Sequence, residues 1–531
     1  VARDFGKVAG NHAMVARDFG KVAGNHAMVA RDFGMVVYSR VPRVRVLGTV
    51  SDGSALRLHA SDAKSLPILH IETAPTYESG RLRAETSPHG SRAQERMFHV
   101  IRKNLPVAHA VAGLAAIAAM VIPATARAQD AGPPACSSYN SGNIVYFAGS
   151  TAVQPVLRRL AKNFGANGIN IGIVYQGTGV SSCTGLGDVL MSMKEAHAAQ
   201  YIKPADGTLS DCSLTDPVGG QAVDVAVSDV FPATCPGGLT VGTGFKEFLG
   251  PIQVMTMVTR KESTESSISA DAAYVVFGFA GQTNMVLPWT DPTQMFIRAP
   301  SSGTINMIGT AIGLPASKWL VGAMYDAQRK SGSGTVLSGL QTASSVNASI
   351  GILAADFADQ FRNPAAPSDG GAAPPGIKIL AYKHKGQGCG YLPDSDATHY
   401  DKINVRQGRY AIWGPVHFVT AVDGSGAPVN PNVKTILDYF ASVGPSPDAT
   451  LTDAQKQAMI DAEADAFTIP WCAMQVQRSG EISAPAAFQP KEPCGCYFET
   501  HKASMVSTCT SCSSGCSGST PVCRYGFCEA R

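Results

Sequence analysis

Three stretches of this chain place hydroxyl, glycine and charged residues where backbone amides could grip an anion. Gly149-Ser150-Thr151 lies between the β-rich run Ile144–Phe147 and an apolar stripe at Val153, Val156, Leu157, Leu160 and Phe164. Ser228-Asp229 closes the run Val223-Asp-Val-Ala-Val227. Arg298 ends Met295-Phe-Ile297 and is followed by Ala-Pro-Ser301-Ser302-Gly303-Thr304, then by Ile305, Ile308 and Ile312. A helix N-terminus presents unpaired N–H groups and a partial positive charge. Ser and Thr at the cap add hydroxyl donors, and Gly lets the backbone approach closely. Taken singly, each element has a plainer reading: Ser150-Thr151 as an N-cap, Asp229 as a turn residue, Arg298 as a surface ion pair. Their conjunction points to an anion.

The elements that must position these residues are short strands alternating with helical stripes from about Asn143 to Phe440, the pattern of α/β layers. Pro155 falls in the first turn of the first helix, where a missing N–H costs little. Gly313-Leu-Pro315 ends the helix that carries Ile305–Ile312. Two helix N-termini, one Arg and one Asp would then converge at the carboxyl ends of the strands, where open α/β sheets bind ligands. At 531 residues the chain has room for two or three domains. It carries 43 Lys and Arg against 40 Asp and Glu. The surplus of base lies upstream of Ala128 and the main body is mildly acidic, which argues against a nucleic-acid partner.

One long apolar run follows Arg102-Lys103 and ends at Ala126-Arg127-Ala128, a small-x-small site. Basic start, apolar middle and cleavable end make 97–128 a signal peptide, and the mature protein is expected to be periplasmic or secreted and not membrane-spanning. Residues 1–96 open with VARDFGKVAGNHAM at Val1, again at Val15 and in part at Val29. This region reads as a spurious or disordered upstream extension with no assigned function. All 13 Cys lie after the expected cleavage site, which fits an oxidising compartment. Seven of them crowd 491–531: Cys494, Cys496, Cys509, Cys512, Cys516, Cys523 and Cys528. With few apolar residues between them, this tail is expected to be ordered by disulfides. Zinc at Cys509-x2-Cys512 is the alternative, and the odd total leaves one thiol free or paired between chains.

The motifs resemble those of the phosphate-binding proteins of ABC importers, members of the type-2 periplasmic binding superfamily, over roughly Ile144 to Val419. Gly149-Ser-Thr-Ala-Val-Gln-Pro155 resembles the family's first phosphate loop, and Tyr175-Gln-Gly-Thr-Gly179 its tyrosine-glutamine-glycine segment. Asp224-Val-Ala-Val-Ser228-Asp229 and Arg298-x-x-x-Ser302-Gly303-Thr304 match its Asp-x-x-x-Ser-Asp and Arg-x-x-x-Ser-Gly-Thr patterns, and Ser349-Ile-Gly351-Ile resembles a later small-residue stretch. The resemblance implies an α/β, two-lobed fold with a ligand cleft between the lobes and the Cys-rich tail as an addition. Lobe 1 would take 143–250 and 410–490, and lobe 2 251–409. Thr151 and the N–H of Ala152 would contact the anion from one side, and Ser302, Gly303 and Thr304 from the other. Arg298 would add charge-assisted donors, and Asp229 would accept from a protonated phosphate oxygen. In the family a Ser directly follows the glycine segment; here Val180 stands there, so that contact would shift to Ser181.

The function implied is capture of inorganic phosphate, or of arsenate, for the membrane subunits of an ABC importer, with no cofactor, no metal and no catalysis. Two other readings belong to different classes. A phosphate-ester hydrolase would need a nucleophile with a base or a metal cluster, and the chain shows neither Gly-x-Ser-x-Gly nor His-Glu-x-x-His. His197, His384, His399 and His417 are scattered. A secreted adhesion protein would use the Cys-rich tail for attachment.

Overall fold

The computed structural model describes residues 132–530 apart from 141, 177–178, 197, 215–218, 281–284, 367–371, 448–449 and 503–508, together with the backbone of six short strands between Gly20 and Thr73. The chain divides into two units after Val121. In the first, Gly20–Lys21, Ala27–Ala30, Met35–Arg40 and Arg43–Leu47 form an antiparallel meander, and Leu56–Arg57 pairs with Glu72–Thr73. The expected signal segment, 97–128, lies outside the described residues.

In the second unit the apolar runs become buried strands and the stripes become helices. β1 (Ile144–Gly149), β2 (Gly172–Gln176) and β5 (Val225–Ser228) run parallel, with Val225 opposite Phe147 and Ile144 opposite Gly172. All of β2 and β5 is buried, as expected of parallel strands covered on both faces. β3 (Ala198–Ile202) and β4 (Leu209–Ser213) extend the sheet beyond β2. α1 (Gln154–Ala166) follows β1 and buries Val156, Leu157, Leu160, Ala161 and Phe164, one face of a 3.6-residue period. α2 (Ser182–Leu190) starts shortly after β2.

β6 (Phe245–Arg260) carries the chain into the other half of the sheet, and β11 (Trp413–Ala421) brings it back antiparallel to β6. The register between them shifts between Leu249 and Ile252, around Gly250-Pro251, where Pro has no N–H to give to a ladder. In that half β7 (Met295–Arg298), β8 (Arg329–Lys330), β9 (Ile350–Ala354) and β10 (Ile377–Ile379) complete an eleven-stranded mixed sheet. Its path is β4-β3-β2-β1-β5-β11-β6-β9-β7-β8, with β10 also on β6. α3 (Gly303–Ile312) follows β7 and ends at Gly313, whose φ of 77° is the left-handed cap that glycine accepts without strain. α4 (Ser333–Gln341) follows β8.

α5 (Pro431–Ser442) and α6 (Asp453–Asp465) lie beside α1, with Phe164 edge-on to Tyr439 at 5.1 Å. The tail folds as α7 (Gly495–His501) and a hairpin of Val522–Arg524 with Phe527–Glu529. Disulfides Cys496–Cys509, Cys512–Cys523 and Cys516–Cys528 cross-link it, and Cys472–Cys494 ties it to the body. The zinc alternative is overturned: Cys509 and Cys512 sit in separate disulfides and have no thiolate to offer a metal. Cys136–Cys212 and Cys183–Cys235 brace the first half, and Cys389 is the exposed free thiol. Among the described residues no helix is long and apolar enough to cross a membrane.

Candidate functional site

The carboxyl ends of β1, β5 and β7 deliver polar residues to one place. After β1, Gly149 turns the chain at φ 131°, and a Cβ there would lie 2.1 Å from the Val227 carbonyl oxygen, so only glycine fits beside β5. Ser150 then caps a 3-10 turn (Thr151–Val153) that leads into α1. Ser181 caps α2, Ser302 precedes α3, and Ser333 opens α4. These four helix starts surround a small polar cavity lined by Ser150, Thr151, Ala152, Val180, Ser181, Ser182, Asp229, Arg298, Ser302, Thr304 and Ser333.

Asp229, at the end of β5, is 2% exposed. Its Oδ2 accepts the Ser150 hydroxyl at 2.6 Å and the Ser182 hydroxyl at 3.4 Å. Its Oδ1 is buried with no hydrogen-bond partner. Burial raises the carboxyl pKa, against the pull of Ser150, Arg298, Ser182 and His417, which favour the carboxylate. Arg298, 6% exposed at the end of β7, is aimed by its own anchors: Nη1 donates to Ser333 Oγ at 3.2 Å and Nη2 to the Ser331 carbonyl at 3.2 Å. Its Nε is buried and unpartnered. Burial lowers its pKa and Asp229 opposes that shift. The Tyr175 hydroxyl, also buried and unpartnered, is held protonated by burial and by the Asp229 charge.

Asp229 and Arg298 thus line one small polar cavity, and each has a buried polar atom that finds no protein partner. Burying such groups unpaired costs free energy comparable to a lost hydrogen bond or more. A tetrahedral oxyanion carrying a proton could satisfy both at once: its O–H would reach Asp229 Oδ1 and an unprotonated oxygen would receive Arg298. The surrounding hydroxyls and helix N-termini would stabilise the rest of its charge.

Of the residues expected from the sequence, Thr151, Ala152, Ser181, Asp229, Arg298, Ser302 and Thr304 line the cavity, and Gly303 does not. Two expected donors are already engaged: the Ala152 N–H goes to Ser150 Oγ at 3.2 Å and the Gly303 N–H to Ser182 Oγ at 3.1 Å. The Ser181 hydroxyl is spent on the Ser301 carbonyl at 2.8 Å. Sequence reasoning missed Ser150 as the partner of Asp229, Ser182 as a bridge, and Ser333 as the anchor of Arg298. The run Ser331-Gly-Ser-Gly-Thr335 has the composition of the other loops and could have signalled the fourth helix start.

No protein-family model and no curated protein matches this chain. Among solved structures, the chain is similar to a protein of Clostridium perfringens described as a phosphate ABC transporter substrate-binding protein with bound phosphate. That match has a TM-score of 0.39 at 16% identity, covering 62% of this chain and 99% of the other. An ABC-type phosphate transport receptor from Vibrio cholerae gives 0.34 at 12% identity, over 61% and 99% of the two chains. Corynebacterium glutamicum OxyR gives 0.31 at 12%, over 61% and 66%. Likeness at this level decides nothing about what the cavity binds.

Proposed function

We propose that this chain is an exported, non-enzymatic solute-binding protein of the two-lobed type-2 periplasmic kind that takes inorganic phosphate into the cavity described above. The observation that carries the reading is that Asp229 and Arg298 line one cavity among four helix starts and each keeps a buried polar atom without a protein partner, the acceptor Oδ1 and the donor Nε. In this reading the halves that exchange β6 and β11 are the lobes, divided near Gly250-Pro251 and near Arg409-Tyr410. Thr151, Ser302 and Thr304 contribute hydroxyls, Arg298 charge, and Asp229 the test for a proton on the guest.

Phosphate near neutral pH keeps at least one proton, and sulfate keeps none. Sulfate would set a bare oxygen against a bare carboxylate, a mismatch costing roughly 1–3 kcal/mol or more for an unpaired buried acceptor. Arsenate carries the same proton and fits the same description. The six disulfides suit an oxidising compartment, which supports export and delivery to the membrane subunits of an importer. Parallel calorimetric titrations with phosphate, arsenate and sulfate at pH 7 test this. Saturable binding of the first two with sulfate far weaker is the expected result; no phosphate binding, or equal binding of sulfate, refutes it.

A further inference from the structure

Glu481 does not line the cavity, yet it is tied to the chain that leaves Asp229. It sits in the loop of a hairpin whose strands, Val476–Gln477 and Ala486–Ala487, pair antiparallel. Arg478 fastens that loop to the start of β11. Its Nη1 donates to the Ala411 and Trp413 carbonyls, each at 3.0 Å, and its guanidinium lies over the Trp413 ring at 3.9 Å. Glu481 holds the other side: Oε2 accepts the Phe231 N–H at 3.2 Å, two residues beyond Asp229. Its Oε1 is buried without a hydrogen-bond partner. A Cβ placed on Gly414 of β11 would stand 3.6 Å from that Oε1 and 3.9 Å from the Asp229 carbonyl oxygen, so both residues meet at one glycine.

A carboxylate whose second oxygen finds no donor is expensive to keep charged in a buried place. Burial pushes the Glu481 pKa up to about 7 and the Asp229 charge adds to that, against the Phe231 N–H, Arg478 and the Thr234 hydroxyl. The groups that face it are therefore Arg478 on its own loop and Asp229 and Thr234 on the chain after β5. Beyond Phe231 lies the His417 ring of β11, 4.4 Å from the Phe231 ring and bonded to Glu247. Of these groups only Asp229 borders the cavity. With its proton, Glu481 sets no charge behind Asp229. Without it, a second negative charge opposes both the Asp229 carboxylate and any anion in front of it.

We propose that Glu481 is a positioning residue that braces the chain leaving Asp229 and, by gaining or losing its own proton, sets how tightly the cavity holds an anion. It touches no guest and acts through Asp229. Binding and protonation must then be reciprocal: an anion held more weakly when Glu481 is charged makes Glu481 hold its proton more firmly. The inference rests on the proposed function for the identity of the anion, here phosphate.

Glu481→Gln keeps an oxygen for the Phe231 N–H and cannot ionise. Calorimetric titrations of phosphate into the wild type and this variant, from about pH 5.5 to about pH 8.5, give a ratio of dissociation constants in which phosphate's own titration cancels. The ratio of wild type to variant should rise by about threefold or more with a midpoint near pH 7, a low bound for one charge acting through strong screening. A residue that only braced the chain would shift the ratio equally at every pH, and a flat ratio overturns the proposal. Nuclear magnetic resonance of the wild type reads the Phe231 amide, which should move in a step centred near pH 7 without phosphate and at higher pH with it. A step in the ordinary glutamate range, or one that phosphate does not displace, overturns the proposal even if the variant fails to fold. If the wild type binds phosphate at no pH, the proposed function falls and this inference with it; if it binds with a flat ratio, only the role of Glu481 falls.

Discussion

Replacing Gly303 by Ala separates local stability from closure. Gly303 is the first residue of α3 and its backbone is ordinarily helical, so the helix by itself would gain from Ala, by up to about 1 kcal/mol at an interior position. The tertiary setting is opposed. The added Cβ would stand 2.5 Å from Ser182 Oγ, 2.8 Å from Asp229 Cβ and 2.9 Å from Asp229 Oδ2. None of these atoms is the free end of a flexible chain: Asp229 Oδ2 is held by Ser150 at 2.6 Å, and Ser182 is the first residue of α2. Relief must come from parting the halves or shifting Asp229. Overpacking of this kind costs about 1–3 kcal/mol, which corresponds to a loss of phosphate affinity between about fivefold and about 150-fold. Calorimetric titration reads the affinity, and thermal unfolding without phosphate should show no matching loss, because the strain is released by opening. A variant that binds phosphate as tightly as the wild type would refute the reasoning.

Asp229→Asn should remove the preference for a protonated guest, so that sulfate gains and phosphate loses affinity and their ratio shifts by at least about tenfold in competition titrations; an unchanged ratio would mean that Asp229 does not read the proton. Arg298→Lys keeps the charge but not the fork that Ser333 and Ser331 aim, and phosphate affinity should fall by about tenfold or more in the same assay. Asp356, buried with its Oδ1 bonded to Gln253, is pushed up to about 8 by burial, so the folded protein holds a proton there that the unfolded chain releases above about pH 4. Stability should therefore decline as pH rises from about 4 to about 8. Asp356→Asn should melt progressively higher than the wild type across that window, and a melting difference that is flat with pH would contradict the shift.

The cavity was legible to the extent that local signals carried it. The run Ile144–Phe147, the Gly-Ser-Thr that follows and the Val156–Phe164 stripe become β1, the Ser150-capped turn and α1. Arg298 at the end of β7 and the Gly313 cap of α3 follow from the same kind of pattern. What escaped depends on tertiary direction. Ser333 matters because the Arg298 guanidinium points to it from 35 residues away. Ser182 looks like a second capping residue until α3 is brought against it. The N–H groups of Ala152 and Gly303 were expected to face an anion, yet each is met by a neighbouring serine hydroxyl, a competition that spacing along the chain does not reveal. Disulfide connectivity is in the same category: the cysteines announced cross-links, and only the fold pairs Cys183 with Cys235 and Cys136 with Cys212.

The most direct test is a crystal structure of the mature protein grown with phosphate at pH 7. One phosphate in the cavity should have a protonated oxygen about 2.5–2.7 Å from Asp229 Oδ1 and another oxygen within hydrogen-bond reach of Arg298. A cavity without phosphate, or an Asp229 carboxylate turned away from a phosphate bound there, would contradict the account.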